Sequence, residues 1–276
     1  MDGAIILSED LKTILSVNVF LSPIMDKTKG TGARHKVAER TADQIKTIVV
    51  AVSERKNKIT LYYEDRLYEL EKSSEVLRRA AETLQILEKQ KDIFSDSMNN
   101  INILEINNLV TMSDVCDILQ RIEIVRRISE IVKRYLIELG REGIIVSMRL
   151  KELTKNLNKE RELILRDYLK SKYSKVDNTL KTINFDLLIE TQNVSKILFE
   201  EVHDKPISSK GLRILSKINL SPEEIRLLIN NFKTLSRIFN TDKDSFMRIL
   251  NDEKVVDSLM QDLESIREKI MAGNVI

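Results

Sequence analysis

The chain is 276 residues long; 42% of its residues are hydrophobic and 32% are charged, with 7 glycines and 3 prolines. This composition favours long helices carrying salt bridges over sheets joined by many turns, and the length is that of about two average domains. The formal net charge of +2 excludes an overall basic excess that would draw the whole chain onto nucleic acid or an anionic membrane.

No stretch approaches the roughly 18 apolar residues of a membrane span, and the N-terminus lacks the apolar run of a signal peptide. We therefore expect a soluble, cytoplasmic protein that does not contact a membrane. The single cysteine, Cys116, lies in an apolar helical pattern and has no second cysteine to pair with. A buried, inert thiol is the expected result.

Residues 1–72 carry the strand signals, which are short apolar or alternating runs rich in β-branched and aromatic residues. These runs are residues 4–7, 14–21, 47–52 and 59–63, with a helix predicted at 36–45. The order predicts a small mixed α/β domain containing one small sheet with uncovered apolar edges. With the helical segments that follow, it makes the chain an α+β protein.

An Asp-Gly-Ala run, residues 2–4, opens the first predicted strand. The carboxylate of Asp2 can coordinate a divalent cation or accept a hydroxyl proton, and Gly3 leaves room for a base or a ribose. The alternative is an exposed terminal carboxylate without a ligand.

Residues 31–36 read Thr-Gly-Ala-Arg-His-Lys and stand where an apolar segment gives way to a helical one. Gly32 lets the backbone approach a ligand, and Arg34, His35 and Lys36 can converge on phosphate oxygens at a helix N-terminus. The alternative is a glycine turn before a solvated basic first turn. No Gly-x-x-x-x-Gly-Lys-Ser/Thr run occurs, which disfavours a P-loop enzyme.

Residues 73–204 form the second predicted domain, in which the apolar period becomes helical. Thr111 and Asp114 predict a capping box at the start of the second helix, and Gly140 with Gly143 predicts its end. Further helices are predicted at 144–170 and 179–202. The pattern predicts a helical spine or bundle whose apolar stripes serve packing, with no cofactor.

Residues 205–276 form the third predicted domain, a compact helical module that follows a linker near Pro206. Ser221 followed by Pro222 predicts the start of one of its helices. From Lys205 onward the chain has 12 basic and 10 acidic residues, a near balance that is unlike a strong DNA-binding surface.

Taken together, the motifs resemble the diadenylate cyclase family. The resemblance rests on Asp-Gly-Ala at 2–4, the segment Asn-Val-Phe-Leu-Ser-Pro at 18–23, and Gly-x-Arg-His-Lys opening a helix. It continues through residues 48–55 and 59–63, and then through Leu-Val-Thr at 109–111 and Glu-Arg-Glu-Leu at 160–163, which are similar to the spine of DNA-scanning members. It covers residues 1 to about 170 closely and the last part loosely.

The resemblance implies that two ATP molecules are condensed into cyclic di-AMP with release of two pyrophosphates, with Mg²⁺ or Mn²⁺ as cofactor. Each domain would hold one ATP, so two must face each other in a homo-oligomer, an octamer in the family. Asp2, Arg34 and His35 would be catalytic, with Asp2 as the metal ligand. The ATP-binding residues would be Gly3, Leu21, Ala33, Arg34, His35, Lys36, Val37, Ser53 and Glu54, of which Ser53 and Glu54 are the weaker candidates.

Three departures from the family pattern affect this expectation. Lys36 stands where arginine is usual and loses the bidentate fork, and Ala33 stands where threonine is common. The family also has a helix and two strands before its Asp-Gly-Ala motif, whereas here Met1 precedes it. Two interpretations stay open: an active cyclase, or a catalytically inactive, N-terminally truncated protein that oligomerises and binds DNA.

For the third domain, the resemblance implies a helix-hairpin-helix module whose glycine-containing hairpins bind DNA phosphates through backbone amides. The first hairpin is recognisable, and its candidate DNA-binding residues are Lys210, Gly211, Arg213 and Lys217. Where the second would have a Gly-Ile-Gly turn, this chain has Asn251, Asp252 and Glu253. Weak or structure-specific DNA binding is expected, and the alternative is a helical cap that assists assembly.

Overall fold

The computed structural model describes residues 3–24, 32–54, 58–169, 173–201 and 203–273. Within these ranges the strands are β1 (Ala4–Leu7), β2 (Ile14–Val19), β3 (Val49–Ser53), β4 (Lys58–Tyr63) and β5 (Arg66–Leu70). The helices are α1 (Ala33–Ile45), α2 (Ser73–Asn107), α3 (Met112–Leu139), α4 (Ile144–Leu153), α5 (Leu157–Tyr168), α6 (Tyr173–Thr182), α7 (Phe185–Ile189), α8 (Thr191–Phe199), α9 (Leu212–Leu215), α10 (Pro222–Phe232), α11 (Leu235–Phe239), α12 (Lys243–Leu250) and α13 (Glu253–Met271). Strands confined to the N-terminal part and helices elsewhere confirm the predicted α+β class.

The chain divides into two compact units. One comprises Met1–Arg79 with Glu138–Glu142, and the other comprises Ala80–Ile137 with Gly143–Ile276. The boundaries proposed from sequence, after residues 72 and 204, stay predictions. None of the described helices is both long enough and apolar enough to cross a membrane.

The strands of the first unit form two antiparallel sheets, whereas the sequence predicted one small sheet. β1 and β2 pair as a hairpin with Ala4 opposite Val19, and β3, β4 and β5 form a meander with Val49 opposite Tyr62. The four predicted strands lie within two residues of their expected bounds. β5 was not predicted, because its sequence Arg-Leu-Tyr-Glu-Leu has no continuous apolar run.

Helix α1 packs on one face of the β3–β4–β5 sheet. The contact is made by Ala38 and Ala42 of the helix with Ala51 and Tyr62 of the sheet, so small side chains allow a close approach. On the opposite face, Val50 and other apolar side chains are more than half exposed. Tyr68 lies on this same face, and its hydroxyl donates to Glu138 at 3.3 Å. The uncovered apolar edges predicted from the sequence stay a prediction.

The long helices α2 and α3 carry the predicted apolar stripes into the core of the second unit. Thr111 caps α3 as expected, since its backbone N–H donates to the Asp114 carboxylate at 2.8 Å and its hydroxyl donates to the same oxygen at 3.0 Å. Cys116 is completely buried, as predicted. Burial raises the pKa of its thiol to about 12, so it is not a thiolate at neutral pH.

The single helices predicted at 144–170 and 179–202 are both interrupted. The first breaks between α4 and α5, where Asn156 adopts a left-handed conformation with φ of 61°. Leu150, Leu153 and Leu157 are buried on both sides of the break at helical spacings, so periodicity alone does not show it. The second region is α6, α7 and α8, and the Gln120 amide donates to the carbonyls of Leu188 and Ile189 at the end of α7.

Helices α9 to α13 form the C-terminal module, called here the tail, around one apolar core. Ser221 makes the predicted start of α10: its hydroxyl accepts from the Glu224 N–H, and the Glu224 carboxylate accepts from the Ser221 N–H. Ile106 of α2 belongs to the same buried cluster as Ile214 and Phe246 of the tail. The tail core therefore includes part of the spine.

Candidate functional site

The predicted phosphate-binding run forms the first turn of α1. Gly32 precedes the helix with φ of 106°, a conformation that an L side chain rarely adopts, and its carbonyl accepts the Lys36 N–H at 3.0 Å. The first turn contains no acidic residue and no side chain caps it. Its amides and the positive end of the helix dipole are therefore suited to an anion.

The side chains of this turn differ in their surroundings. Arg34 and Lys36 are exposed, whereas His35 and Val37 are half-buried. The His35 ring meets the edge of the buried Tyr62 ring at a centroid distance of 6.3 Å and an interplanar angle of 71°. This contact fixes the imidazole against β4, while the two cations on either side of it reach solvent.

Ser53 and Glu54 lie at the far end of the β3–β4 ladder from Tyr62. Ser53 pairs with Lys58, and Val49, four residues earlier, pairs with Tyr62. Four residues span about 13 Å along a strand, so the Tyr62 ring is anchored at the opposite end of the ladder from Ser53. The assignment of Ser53 and Glu54 to ATP binding stays a prediction.

The hairpin geometry explains why position 3 is a glycine, and the sequence alone did not indicate this reason. A Cβ atom at this position would lie 2.4 Å from the backbone carbon of Asn18, and the Gly3 N–H donates to the Asn18 Oδ1 at 3.0 Å. The β1–β2 hairpin thus requires glycine here whether or not a nucleotide binds. Leu21, predicted to bind ATP, is half-buried, and Ala33 at the start of α1 is exposed.

Asp2, the predicted metal ligand and catalytic carboxylate, lies outside the described residues. Among the side chains that are described, no group of three or more His, Cys, Asp or Glu could hold a metal ion. Glu54 is exposed after β3 and is not part of such a group. The assignment of Mg²⁺ or Mn²⁺ to Asp2 therefore stays a prediction.

The assignment of Arg213 to DNA is wrong in this structure. The residue is fully buried, and its Nη2 lies 2.6 Å from Glu105 Oε2 and 2.6 Å from Asn102 Oδ1. A guanidinium paired with a buried carboxylate and removed from solvent cannot reach a phosphate on the surface. Its partners lie 108 and 111 residues earlier in the chain.

The other three predicted DNA contacts also have partners within the protein. Lys210 Nζ donates to the Arg166 carbonyl at 2.8 Å, and Lys217 Nζ lies 3.1 Å from Glu160 Oε1. Gly211 is buried with φ of 92°, and a Cβ there would lie 2.7 Å from the Leu235 Cδ1. In this conformation the two lysines contact groups of α5, and Gly211 packs against Leu235 of α11.

Protein carboxylates also occupy the hairpin amides that the resemblance assigned to DNA phosphates. The Asp167 carboxylate accepts the N–H groups of Leu212 and Arg213 at 2.7 and 2.8 Å. At the second turn, Asp252 Oδ1 accepts the N–H groups of Lys254 and Val255 at 2.9 and 3.3 Å. A DNA phosphate would have to displace each of these carboxylates.

Glu105 and Asp167 were not identified as important from the sequence, although a signal was present. Glu105 follows the buried Ile101 by four residues, and Asp167 follows the buried Ile164 by three. An acidic residue in phase with an apolar helical stripe indicates a buried carboxylate that needs a partner.

Comparison with known proteins finds two matching family models and many similar proteins. The models are described as DisA bacterial checkpoint controller nucleotide-binding, which matches residues 1–67, and DisA bacterial checkpoint controller linker region, which matches residues 70–203. The chain is 40% identical over 248 residues to the DNA integrity scanning protein DisA of Clostridioides difficile (strain 630), covering 87% of this chain and 70% of that protein. It is 37% identical over 284 residues to the protein of the same name from Clostridium botulinum (strain Eklund 17B / Type B), covering 100% of this chain and 80% of that protein.

Proposed function

Because this chain belongs to the family of the DNA integrity scanning protein DisA, we propose that it condenses two ATP molecules into cyclic di-AMP and two pyrophosphates. The observation that carries the proposal is the first turn of α1. There Arg34, His35 and Lys36 follow Gly32 within the segment that matches the DisA nucleotide-binding model. Cationic side chains at an uncapped helix N-terminus suit a triphosphate.

In the proposed reaction, the 3′-oxygen of each ATP attacks the α-phosphorus of the other. A new oxygen–phosphorus bond forms, the bond from the α-phosphorus to the bridging oxygen breaks, and pyrophosphate leaves with that oxygen. Arg34 and Lys36 neutralise the charge that develops on the phosphates. His35, fixed by its contact with Tyr62, donates a hydrogen bond to a phosphate oxygen. Asp2 accepts the proton of the attacking hydroxyl.

A divalent cation, Mg²⁺ or Mn²⁺, would be held by Asp2 and would supply charge neutralisation at the triphosphate. One copy of the chain holds one ATP, so the reaction requires two copies whose α1 turns face each other. The proposed assembly is a homo-oligomer, and an octamer is the arrangement expected from the family.

The test is the formation of cyclic di-AMP from ATP and Mn²⁺, measured by chromatography. His35→Ala and Asp2→Asn are expected to abolish the product, because each removes a group placed at the triphosphate. His203→Ala is a matched control, because His203 is the other histidine of the chain and is exposed outside the nucleotide-binding segment. Product formation that is unchanged in His35→Ala would remove this site assignment.

The second candidate function is a non-catalytic protein that oligomerises and binds DNA. The apolar outer face of the β3–β4–β5 sheet, on which Val52 is 64% exposed, favours it, because an exposed apolar surface suits contact with another copy of the chain. Absence of cyclic di-AMP from a preparation that assembles and binds DNA would select this alternative.

For the tail, we propose weak DNA binding through its exposed cations, since Arg213 is buried and Asp252 occupies the α13 amides. Few phosphates are then neutralised, and we expect salt near about 200 mM to abolish most of the DNA association. Fluorescence anisotropy with a labelled duplex or a branched DNA, repeated across salt concentrations, measures this. Binding that does not change with salt would contradict it.

A further inference from the structure

A cleft with a volume of about 520 Å³ lies between helices α3, α5 and α6, all within the second compact unit. This volume is within the range of sites that hold small molecules. The lining includes the neutral polar side chains of Ser129, Asn158 and Ser174 as well as charged groups. The cleft therefore suits a hydrophilic ligand rather than a hydrocarbon.

Three arginines at this cleft share one buried carboxylate. The partners of Glu123 are Arg126 at 2.6 Å, Arg127 at 2.8 Å and Arg161 at 2.5 Å. Arg126 and Arg161 belong to the lining of the cleft. Arg127 also donates to the carbonyls of Leu180 and Ile183, whose dipoles offset part of its charge without neutralising it.

A second carboxylate, that of Asp177 in α6, is also shared between two cations. Its Oδ1 accepts from Arg161 Nε at 2.5 Å, and its Oδ2 accepts from the Lys181 ammonium. Four cations in the network thus share two carboxylates, which leaves a formal excess of two positive charges. Within the described ranges, the other charged side chains of the lining form two balanced pairs, Lys133 with Glu130 and Arg166 with Glu162. These pairs leave the excess unchanged.

Part of the positive excess is removed from solvent, because the Arg161 side chain is buried and that of Arg126 is only one-quarter exposed. An unbalanced charge in a poorly hydrated place is costly, and an anion in the cleft would remove that cost. A phosphate monoester carries about −1.5 to −2 charges at neutral pH and presents three strong acceptor oxygens. Its charge therefore matches the excess, and its oxygens match the N–H donors of the arginines and the lysine.

We propose that this cleft binds a small polar molecule through a phosphate group held by Arg126, Arg161 and Lys181. The cleft is larger than a phosphate ion, so its neutral polar side chains contact the remainder of the molecule, and an ester of a hydroxylated compound is the class that fits. The proposal does not rest on ATP condensation, because helix α1 belongs to the first compact unit and the cleft lies in the second.

Hydrogen exchange of the whole protein, followed by mass spectrometry across a range of probe concentrations, tests the cleft. The probes are inorganic phosphate, ribose 5-phosphate and ribose. The reporter is a peptide from α6, and a peptide from α1 separately records binding at the proposed nucleotide site. We expect both phosphates to slow exchange of α6 and ribose to leave it unchanged. Tighter binding of ribose 5-phosphate supports an ester as the ligand, and equal binding supports a free phosphate ion.

Lys181→Gln removes one of the excess charges and is expected to weaken phosphate binding at α6 by about threefold to tenfold. Lys181→Arg keeps the charge and should bind about as tightly as the unmodified protein. Lys196→Gln is the matched control, because Lys196 is an exposed lysine of α8 outside the lining of the cleft. Protection of α1 alone would overturn this proposal and leave the proposed function standing. Binding at α6 that is equal in Lys181→Gln and the unmodified protein would also overturn it.

Discussion

Substitution of Glu123 in α3 is expected to lower the free energy of unfolding of the spine substantially. Its side chain is fully buried and accepts from three arginines: Arg126 at 2.6 and 2.9 Å, Arg127 at 2.8 Å and Arg161 at 2.5 Å. Burial raises the pKa of Glu123, but the hydrogen bonds from the arginines outweigh burial and leave that pKa below its ordinary value. The carboxylate is therefore ionised and holds α3 to α5.

The expected magnitude follows from the exposure of the partners. The Arg161 side chain is only 4% exposed, so Glu123→Ala leaves a buried guanidinium with fewer acceptors, a change that typically costs about 3–5 kcal/mol. Arg126 and Arg127 are about one-quarter exposed or less and can recover part of their hydration. Glu123→Gln keeps the shape of the side chain but removes its charge, and we expect it to lower the free energy of unfolding by about 2 kcal/mol.

Urea unfolding followed by far-ultraviolet circular dichroism measures the free energy of unfolding. Glu130→Gln is the matched control, because Glu130 pairs with Lys133 on the exposed side of the same helix and should cost less than about 1 kcal/mol. The difference in free energy of unfolding between the unmodified protein and Glu123→Gln should have its largest value above about pH 4.5. It should decrease as the pH falls through the pKa of Glu123 in the folded protein, which lies below the ordinary value. Equal losses in Glu123→Gln and Glu130→Gln would refute the reasoning.

Three further substitutions or reactions test particular contacts. Gly211→Ala should destabilise the tail by about 1–3 kcal/mol in thermal unfolding, because φ of Gly211 is 92° and the new Cβ would contact Leu235. An unchanged stability would mean that the turn relaxes to accommodate the Cβ. Asp252→Ala should lower the free energy of unfolding by about 1 kcal/mol, because it removes the N-cap of α13, whereas Asp252→Asn should keep most of the capping. Equal losses in the two variants would contradict the role of Asp252 as a cap. Cys116 should resist iodoacetamide at about pH 8 until the protein is unfolded, because its thiol is buried and has a raised pKa; rapid labelling of the native protein would show an accessible thiol.

Local patterns predicted most of the elements. The β-branched runs predicted β1 to β4, and the pairs Thr111–Asp114 and Ser221–Glu224 predicted helix starts, because each depends on residues a few positions apart. The break at Asn156 was missed, since the flanking leucines stay in phase across it. The spacing of apolar residues along the sequence does not indicate where one helix ends and the next begins in a new direction.

The nucleotide-binding motif could be interpreted from the sequence, whereas the tail motif required the tertiary structure. Gly32 and the cations after it could be placed at a helix start from sequence alone, because a positive φ and an N-terminal turn are properties of adjacent residues. Lys210, Arg213 and Lys217 look alike in sequence, and all three resembled surface cations. Only the fold distinguishes them, by bringing Glu105 to Arg213 across 108 residues.

The sequence alone determined the helical period, the caps, the basic turn of α1 and the excess of acids in the second hairpin, because these are set by side chains within one or two turns of each other. The tertiary structure decided which charges are buried. Desolvation depends on every atom packed around a group, and for Arg213 and Asp167 those atoms come from α2, α5 and α9 together. Arg213 lies in a sequence segment that resembles a DNA-binding hairpin, and the fold nevertheless buries it in the protein interior.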